Sequence, residues 1–121
     1  MRGLMPSARE SELELQQSLL RWQQAWSSKN IGLYLDQYAP EFKPQDGRSR
    51  SEWAKLRMER ISGKKNIRIQ IEDIDIALDR DTATTRFTQL YADERIKTIN
   101  KKRIVWIKRG EHWLIQQELT E

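Results

Sequence analysis

A chain of 121 residues has room for one domain and one hydrophobic core. Hydrophobic residues make up 37% and charged residues 33%, the balance of a soluble domain whose core must come from a few large side chains, and five tryptophans supply them. The net charge of +4 is too small and too interspersed to indicate nucleic-acid binding, and the lack of cysteine excludes disulfides and thiolate metal sites.

Ser7 and Ser11 each stand three residues ahead of a glutamate, so a capping box predicts a helix beginning at one of them. That leaves a flexible segment over residues 1–8 and a folded domain over 9–121. At 100° per residue Leu15, Leu19, Trp22 and Trp26 share a narrow arc, while Gln16, Gln17, Gln23 and Lys29 fall outside it. This helix lays two indoles on the core. Ser27 to Asn30 break it, and a second short helix runs from Ile31 to Tyr38, ended by Pro40. Residues 39–50 contain two prolines, Asp46-Gly47 and Ser49, the marks of a loop; Phe42 anchors it, and it is placed to rim a pocket. Ser49 and Glu52 repeat the capping box and open a third helix that reaches about Ser62 and stops at Gly63.

From Asn66 to Leu78 the chain alternates with period two, but the phase changes halfway. Ile67, Ile69 and Ile71 define one face; Ile74, Ile76 and Leu78 define the opposite one. A β-bulge near Glu72-Asp73 restores the register, bends the strand and makes the sheet concave. Three more strands are expected at about 82–91, 96–108 and 112–119, separated by turns at Asp79-Arg80-Asp81, Ala92 to Glu94 and Arg109-Gly110-Glu111. The fold class is therefore α+β: a curved antiparallel sheet of about four strands packed against three N-terminal helices. Arg68, Gln70, Arg86, Thr88 and Gln116 suit a solvated outer face, where Leu90, Val105, Ile107 and Leu114 offer an apolar patch for a homodimer.

Some residues fit a bland core poorly. Arg57 and Arg60 lie within the apolar arc of the third helix, set by Trp53, Leu56 and Ile61. Each must pair with an acid such as Asp36 or Glu118, reach water, or line a wet pocket, where a planar guanidinium suits carboxylate or phosphate. Gln89 sits between Phe87 and Tyr91 on the inward face of the second strand, and a buried amide needs a polar neighbour or a ligand. Trp22, Tyr34 and Tyr38 could join the lining. Catalytic signals are weak. His112, the one histidine, stands at a strand start where a solvent-facing role is expected, and Asp36 between Tyr34 and Tyr38 offers at most an acid/base group of the isomerase kind. No nucleophilic triad, metal-spaced cluster or phosphate-cradling loop is present, so no cofactor or metal is expected.

The ordered pattern Trp22-x3-Trp26, Tyr34-Leu35-x2-Tyr38, Phe42, Ser49-Arg50-x2-Trp53-x3-Arg57-x2-Arg60-Ile61, Phe87-x-Gln89-x-Tyr91 and Trp113-x-Ile115-x2-Glu118 resembles the nuclear transport factor 2-like (SnoaL-like) superfamily. Within it the likeness is to the small accessory domain of bacterial L,D-transpeptidases and tetratricopeptide-repeat envelope proteins, and it covers about residues 9–119. The resemblance implies a cone with a pocket at its open end. It also implies a non-catalytic accessory module of a cell-envelope, peptidoglycan-related protein, because the catalytic Cys of an L,D-transpeptidase has no counterpart here. The alternative is a small ketosteroid-isomerase-like or cyclase-like enzyme acting in the cone.

The ligand expected is a small polar or anionic molecule or a protein segment, bound by Trp22, Tyr38, Trp53, Arg57, Arg60, Phe87, Gln89 and Tyr91. A nucleic-acid role would need surface aromatics beside Lys64, Lys65, Lys101, Lys102 and Arg103, which more simply form a solvated rim. The N-terminal stretch has no signal-peptide apolar run and no segment approaches the roughly 20 apolar residues of a membrane span. The expected setting is periplasmic or cell-envelope if the chain is an excised domain, and cytoplasmic otherwise.

Overall fold

The computed structural model describes residues 7–121, so the flexible segment expected at 1–8 lies outside the described residues except for its last two. Ser7 holds extended backbone and its hydroxyl accepts from the Glu10 amide at 3.1 Å, which starts α1 (Ala8–Ser27) at the first of the two candidate caps. Its buried residues are Leu15, Ser18, Leu19, Trp22, Ala25 and Trp26, the arc that the spacing predicts with two small residues filling it.

Asn30 caps α2 (Ile31–Asp36) by accepting from the Leu33 amide at 3.1 Å. The helix ends two residues before Tyr38 because the chain leaves it to pair with the last strand. Ile115 donates its amide to Gln37 O and Ala39 donates to Ile115 O, both at 2.8 Å. The carbonyls this departure exposes are taken by Arg50, whose Nε donates to Ala39 O at 3.0 Å and whose Nη2 donates to Tyr38 O at 3.1 Å and Leu35 O at 3.3 Å. Arg50 is also the first residue of α3 (Arg50–Ser62), which begins with the expected reciprocal capping box between Ser49 and Glu52. One side chain thus joins the end of one helix to the start of the next.

The strands β1 (Ile67–Asp79), β2 (Thr82–Asp93), β3 (Lys97–Arg109) and β4 (His112–Thr120) form one antiparallel meander in the order β1-β2-β3-β4. Pairing of β1 with β2 jumps from Glu72 with Thr88 to Asp75 with Arg86, and Asp73 takes the left-handed conformation at φ 54°. This is the expected bulge. It turns Ile76 and Leu78 toward the helices together with Ile67, Ile69 and Ile71. Ile74 differs from expectation: it sits within the bulge itself and is 48% exposed, since the extra residue takes it out of the alternation.

A second bulge was not expected. Trp106 pairs with Ile115 and Val105 with Gln117, which leaves Gln116 as the extra residue in β4. Trp113 and Ile115 face the core on one side of it, and Glu118, which strict alternation would send outward, faces the core on the other.

Trp22, Trp106, Trp113 and Tyr34 are fully buried between helices and sheet, with Trp106 Nε1 donating to Thr85 Oγ1 at 3.0 Å. On the outer face the apolar residues divide. Leu90 pairs with Ile99 at one end, Val105, Ile107 and Leu114 lie at the other, and Thr88 with Lys101 and Arg86 with Arg103 stand between them.

Trp26 closes the seam, its ring centroid 5.4 Å from that of Trp22, 5.6 Å from Tyr91 and 6.0 Å from Tyr34. Trp26→Ala is expected to cost about 3–5 kcal/mol in urea unfolding through lost burial and the cavity left behind. An unchanged unfolding midpoint would contradict this placement.

Candidate functional site

The inward turn of Glu118 sets a carboxylate against the helices, and the chain supplies its partners. Tyr38 donates its hydroxyl proton to Glu118 Oε1 at 2.5 Å, and Lys102 Nζ donates to Oε2 at 3.1 Å. The side chains of Lys102 and Glu118 are only 12% and 13% exposed. Trp22 Nε1 donates to the Tyr38 oxygen at 2.8 Å. The Tyr34 hydroxyl lies 3.0 Å from that of Tyr38, whose single proton is already given to Glu118, so Tyr34 is the donor between them. The Tyr34 oxygen in turn accepts from Arg57 Nε at 3.1 Å. The outcome is a directed series from a guanidinium through two neutral hydroxyls to a carboxylate, closed by an ammonium on its far side.

The protonation states agree with this order. Burial pushes the Tyr34 hydroxyl up to about 12, against the opposing charge of Arg57. Burial also raises Tyr38, and the Glu118 charge adds to that rise, so both tyrosines stay neutral donors near neutrality. Burial would raise Glu118 too, but Lys102, the Tyr38 hydrogen bond and Arg57 together outweigh it and hold the carboxyl below its ordinary range.

In front of this series lies a hollow of about 380 Å³, bounded by α3, residues 42–48, Lys102 and the end of β4. Trp26, Phe42 and Trp53 form its apolar wall; Arg48, Arg57, Arg60, Lys102, Asp46 and Glu118 bring charge to it. Arg48 pairs with Asp46 at 2.9 Å and Lys102 with Glu118. Arg57, stacked 5.0 Å above the Trp26 ring, meets only the neutral Tyr34 oxygen, and Arg60 is exposed with no ion pair or side-chain hydrogen bond among the described residues. Two guanidiniums therefore line an aromatic hollow without a carboxylate of their own. Both also border a second hollow of about 180 Å³, which Trp26, Ile61, Tyr91 and Asp93 help to line.

Of the residues singled out from the sequence, Trp53, Arg57 and Arg60 line the larger hollow, and Tyr91 joins the two arginines at the smaller. Trp22, Tyr38, Phe87 and Gln89 lie behind, in the core. Trp22 and Phe87 pack edge to face at 6.0 Å, and Gln89 faces Ile71 and Asn100 in the neighbouring strands, its buried Oε1 without a hydrogen-bond partner among the described residues. Glu118, weighed as a partner for the arginines, reaches Arg57 through the tyrosines; Asp36 is exposed and lines neither hollow.

Sequence reasoning missed Trp26, Arg48 and Lys102 as lining residues. The inward placement of Glu118 was legible only in the three-residue step from Ile115, where a bulge must sit. His112 is exposed at the opposite end of the sheet. There it borders a hollow of about 910 Å³ formed by α1 and two hairpin turns, with Lys108 and Glu14 paired at 3.5 Å and no Phe, Tyr or Trp in its lining.

Three helices closed over a bent antiparallel sheet with a hollow at one end are the architecture of an NTF2-like domain. The chain belongs to the Cds6 C-terminal NTF2-like domain family, whose pattern matches residues 14–119. Its fold is similar to that of Pgp2, a helical cell shape determining protein from Campylobacter jejuni, with a TM-score of 0.85 at 19% identity over 98% of this chain and 43% of that one. Bd1075 from Bdellovibrio bacteriovorus aligns at TM-score 0.84 and 20% identity over 96% of this chain and 42% of that one. An NTF2-like protein of unknown function from Pseudomonas putida aligns at 0.79 and 17% identity over 98% and 89%. The chain thus spans less than half the length of Pgp2 and Bd1075. No curated protein matches it.

Because the folded carboxyl of Glu118 titrates below its unfolded value of about 4.3, its stabilising effect is complete above that pH and is lost as pH falls through the folded value. Glu118→Gln is therefore expected to cost about 3 kcal/mol near neutrality, by leaving Lys102 unpaired, and the gap from wild type should narrow as pH falls below about 4.3 and through the folded value. Thermal midpoints across that range check it; a gap independent of pH would contradict the assignment.

Proposed function

We propose that the chain is a non-catalytic binding module whose open end receives an anionic group, a carboxylate in the first instance, from a small ligand or an extended protein segment. The observation that carries this reading is the pair Arg57 and Arg60, which border an aromatic hollow of about 380 Å³ without a carboxylate partner. Four cations face that hollow against two acids, and both acids are already engaged by Arg48 and Lys102. Arginine suits the role because its planar fork takes both oxygens of a carboxylate, and Trp26 and Trp53 supply apolar area for the body of the ligand.

A small enzyme of the ketosteroid-isomerase kind would need a carboxylate in the hollow with an oxygen free to take a proton from the substrate. Glu118 is the carboxylate nearest the aromatic series, and its environment lowers its pKa and occupies both oxygens. That favours a structural carboxylate over a proton-abstracting one. A cell-envelope setting, with the domain as an accessory part of a larger protein, is supported by the likeness to Pgp2, described as a helical cell shape determining protein, of which this chain matches 43%.

The test is a thermal-shift screen with small mono- and dicarboxylates, D-amino acids and peptidoglycan fragments, since a ligand that binds only the native state must raise its midpoint. Arg60→Met is expected to keep stability within about 0.5 kcal/mol, as an exposed position does, and to weaken binding of the best carboxylate about tenfold. Arg57→Met is expected to weaken it as well and to cost about 1–2 kcal/mol for the lost bond to Tyr34. Binding unaffected by both changes, or no carboxylate that raises the midpoint, would refute the proposal.

A further inference from the structure

At the end of the sheet where β2 turns into β3, the hairpin projects past its neighbour. β4 pairs with β3 only from Lys102 onward, so Lys97 to Asn100 have no strand on their outer side among the described residues. Ile99 is 70% exposed on the outer face beside Leu90, and Ile96 at the turn is 53% exposed. Arg68, Arg95, Lys97 and Lys101 surround them, all exposed. Of the two acids of the turn, Asp93 is half-buried and Glu94 is exposed, so the exposed cations of this end outnumber the turn's exposed acid. Asp93 accepts from the Tyr91 hydroxyl at 2.6 Å and from the amides of Arg95 and Ile96, and Glu94 accepts from the Lys65 amide at 3.0 Å.

Exposed aliphatic side chains among mainly basic neighbours, with Glu72 and Glu94 as the exposed acids nearby, narrow the choice of partner. A second copy of the chain would set like charges against each other across the two-fold axis. An added strand is opposed by Lys97 on the open edge, a common guard against strand pairing, and by the shortness of that edge, which Glu121 closes at Lys101. Single-stranded nucleic acid is gripped by exposed aromatic faces, and the exposed large apolar residues here are isoleucines. An anionic lipid surface fits both features, since its phosphates meet the cations while the isoleucines enter the boundary between headgroups and acyl chains. From this we infer that the β2–β3 hairpin is a peripheral docking surface for an anionic bilayer, which the domain touches without spanning. Lys97, Ile99 and Lys101 line neither hollow that the arginines border, although they share this end of the sheet with Ile96, which borders the smaller one.

The test is co-sedimentation of the intact chain with vesicles of phosphatidylcholine alone and of an equimolar mixture of phosphatidylcholine and phosphatidylglycerol. Wild type is expected to sediment with the mixed vesicles at low salt, to remain in solution with phosphatidylcholine alone, and to be released as salt screens the attraction. Lys97→Glu lowers affinity for the mixed vesicles about tenfold, because a basic residue near an anionic surface contributes about fivefold and its reversal adds repulsion. Ile99→Thr, which keeps net charge and strand preference, also weakens binding. Arg21→Glu makes the same charge change on α1, beside the hollow at the opposite end of the sheet, and leaves binding unchanged. Wild type that does not sediment with mixed vesicles, equal losses in Lys97→Glu and Arg21→Glu, or binding to an oligonucleotide instead of vesicles overturns the inference.

Discussion

The open end of the cone depends on where Glu118 points. A carboxylate on the inner face of a sheet must be matched by donors, and here the match comes from three separate parts of the fold: Tyr38 after α2, Lys102 on β3 and, through Tyr34, Arg57 on α3. Removing any one would leave a buried polar group without a partner, at a cost of about 1–3 kcal/mol for a neutral group and more for a charge. The series therefore ties the helices to the sheet in a directional way that apolar packing of tryptophans alone does not. It also decides the electrostatics of the hollow. Because Glu118 is bonded to Tyr38 and Lys102, it does not neutralise Arg57 directly, and Arg60, near the C-terminal end of α3, meets no acid among the described residues.

Two bulges make this geometry, and they differ in how visible they are. The bulge in β1 shows in the sequence as a phase change between two sets of isoleucines, because each set needs the core and strict alternation cannot supply both. The bulge at Gln116 shows only as the interval between Ile115 and Glu118. A glutamate is ordinarily read as an outward residue, so the interval carries no hydrophobic signal. The helices were legible for the same reason as β1: caps at Ser7 and Ser49 and an apolar arc on α1 are local features whose physics is contained in a few adjacent residues.

What was not legible is long-range. The end of α2 is set by pairing between Gln37, Ala39 and Ile115, and by the carbonyl contacts of Arg50. Lys102 lies inward because it shares a row with Phe87 and a carboxylate waits for it sixteen residues further along the chain. Arg57 and Arg60 could be placed on the apolar side of α3 from spacing alone, but the two then part company: one is held against Trp26 and Tyr34, the other reaches solvent. Ile74 shows the converse, an apolar residue that fits the repeat and is nonetheless exposed, since the bulge that rescues its neighbours must itself turn outward.

The central claim is that Glu118 is satisfied within the protein while the guanidiniums of Arg57 and Arg60 remain available to an external anion. The most direct measurement is an NMR titration of the chain with a small dicarboxylate, following the Nε–Hε resonances of both arginines and the side-chain carboxyl carbon of Glu118. The account predicts saturable shifts of the two arginine resonances with the Glu118 carbon unmoved. A Glu118 carbon that shifts with the arginines, or arginine resonances that do not respond, would contradict it.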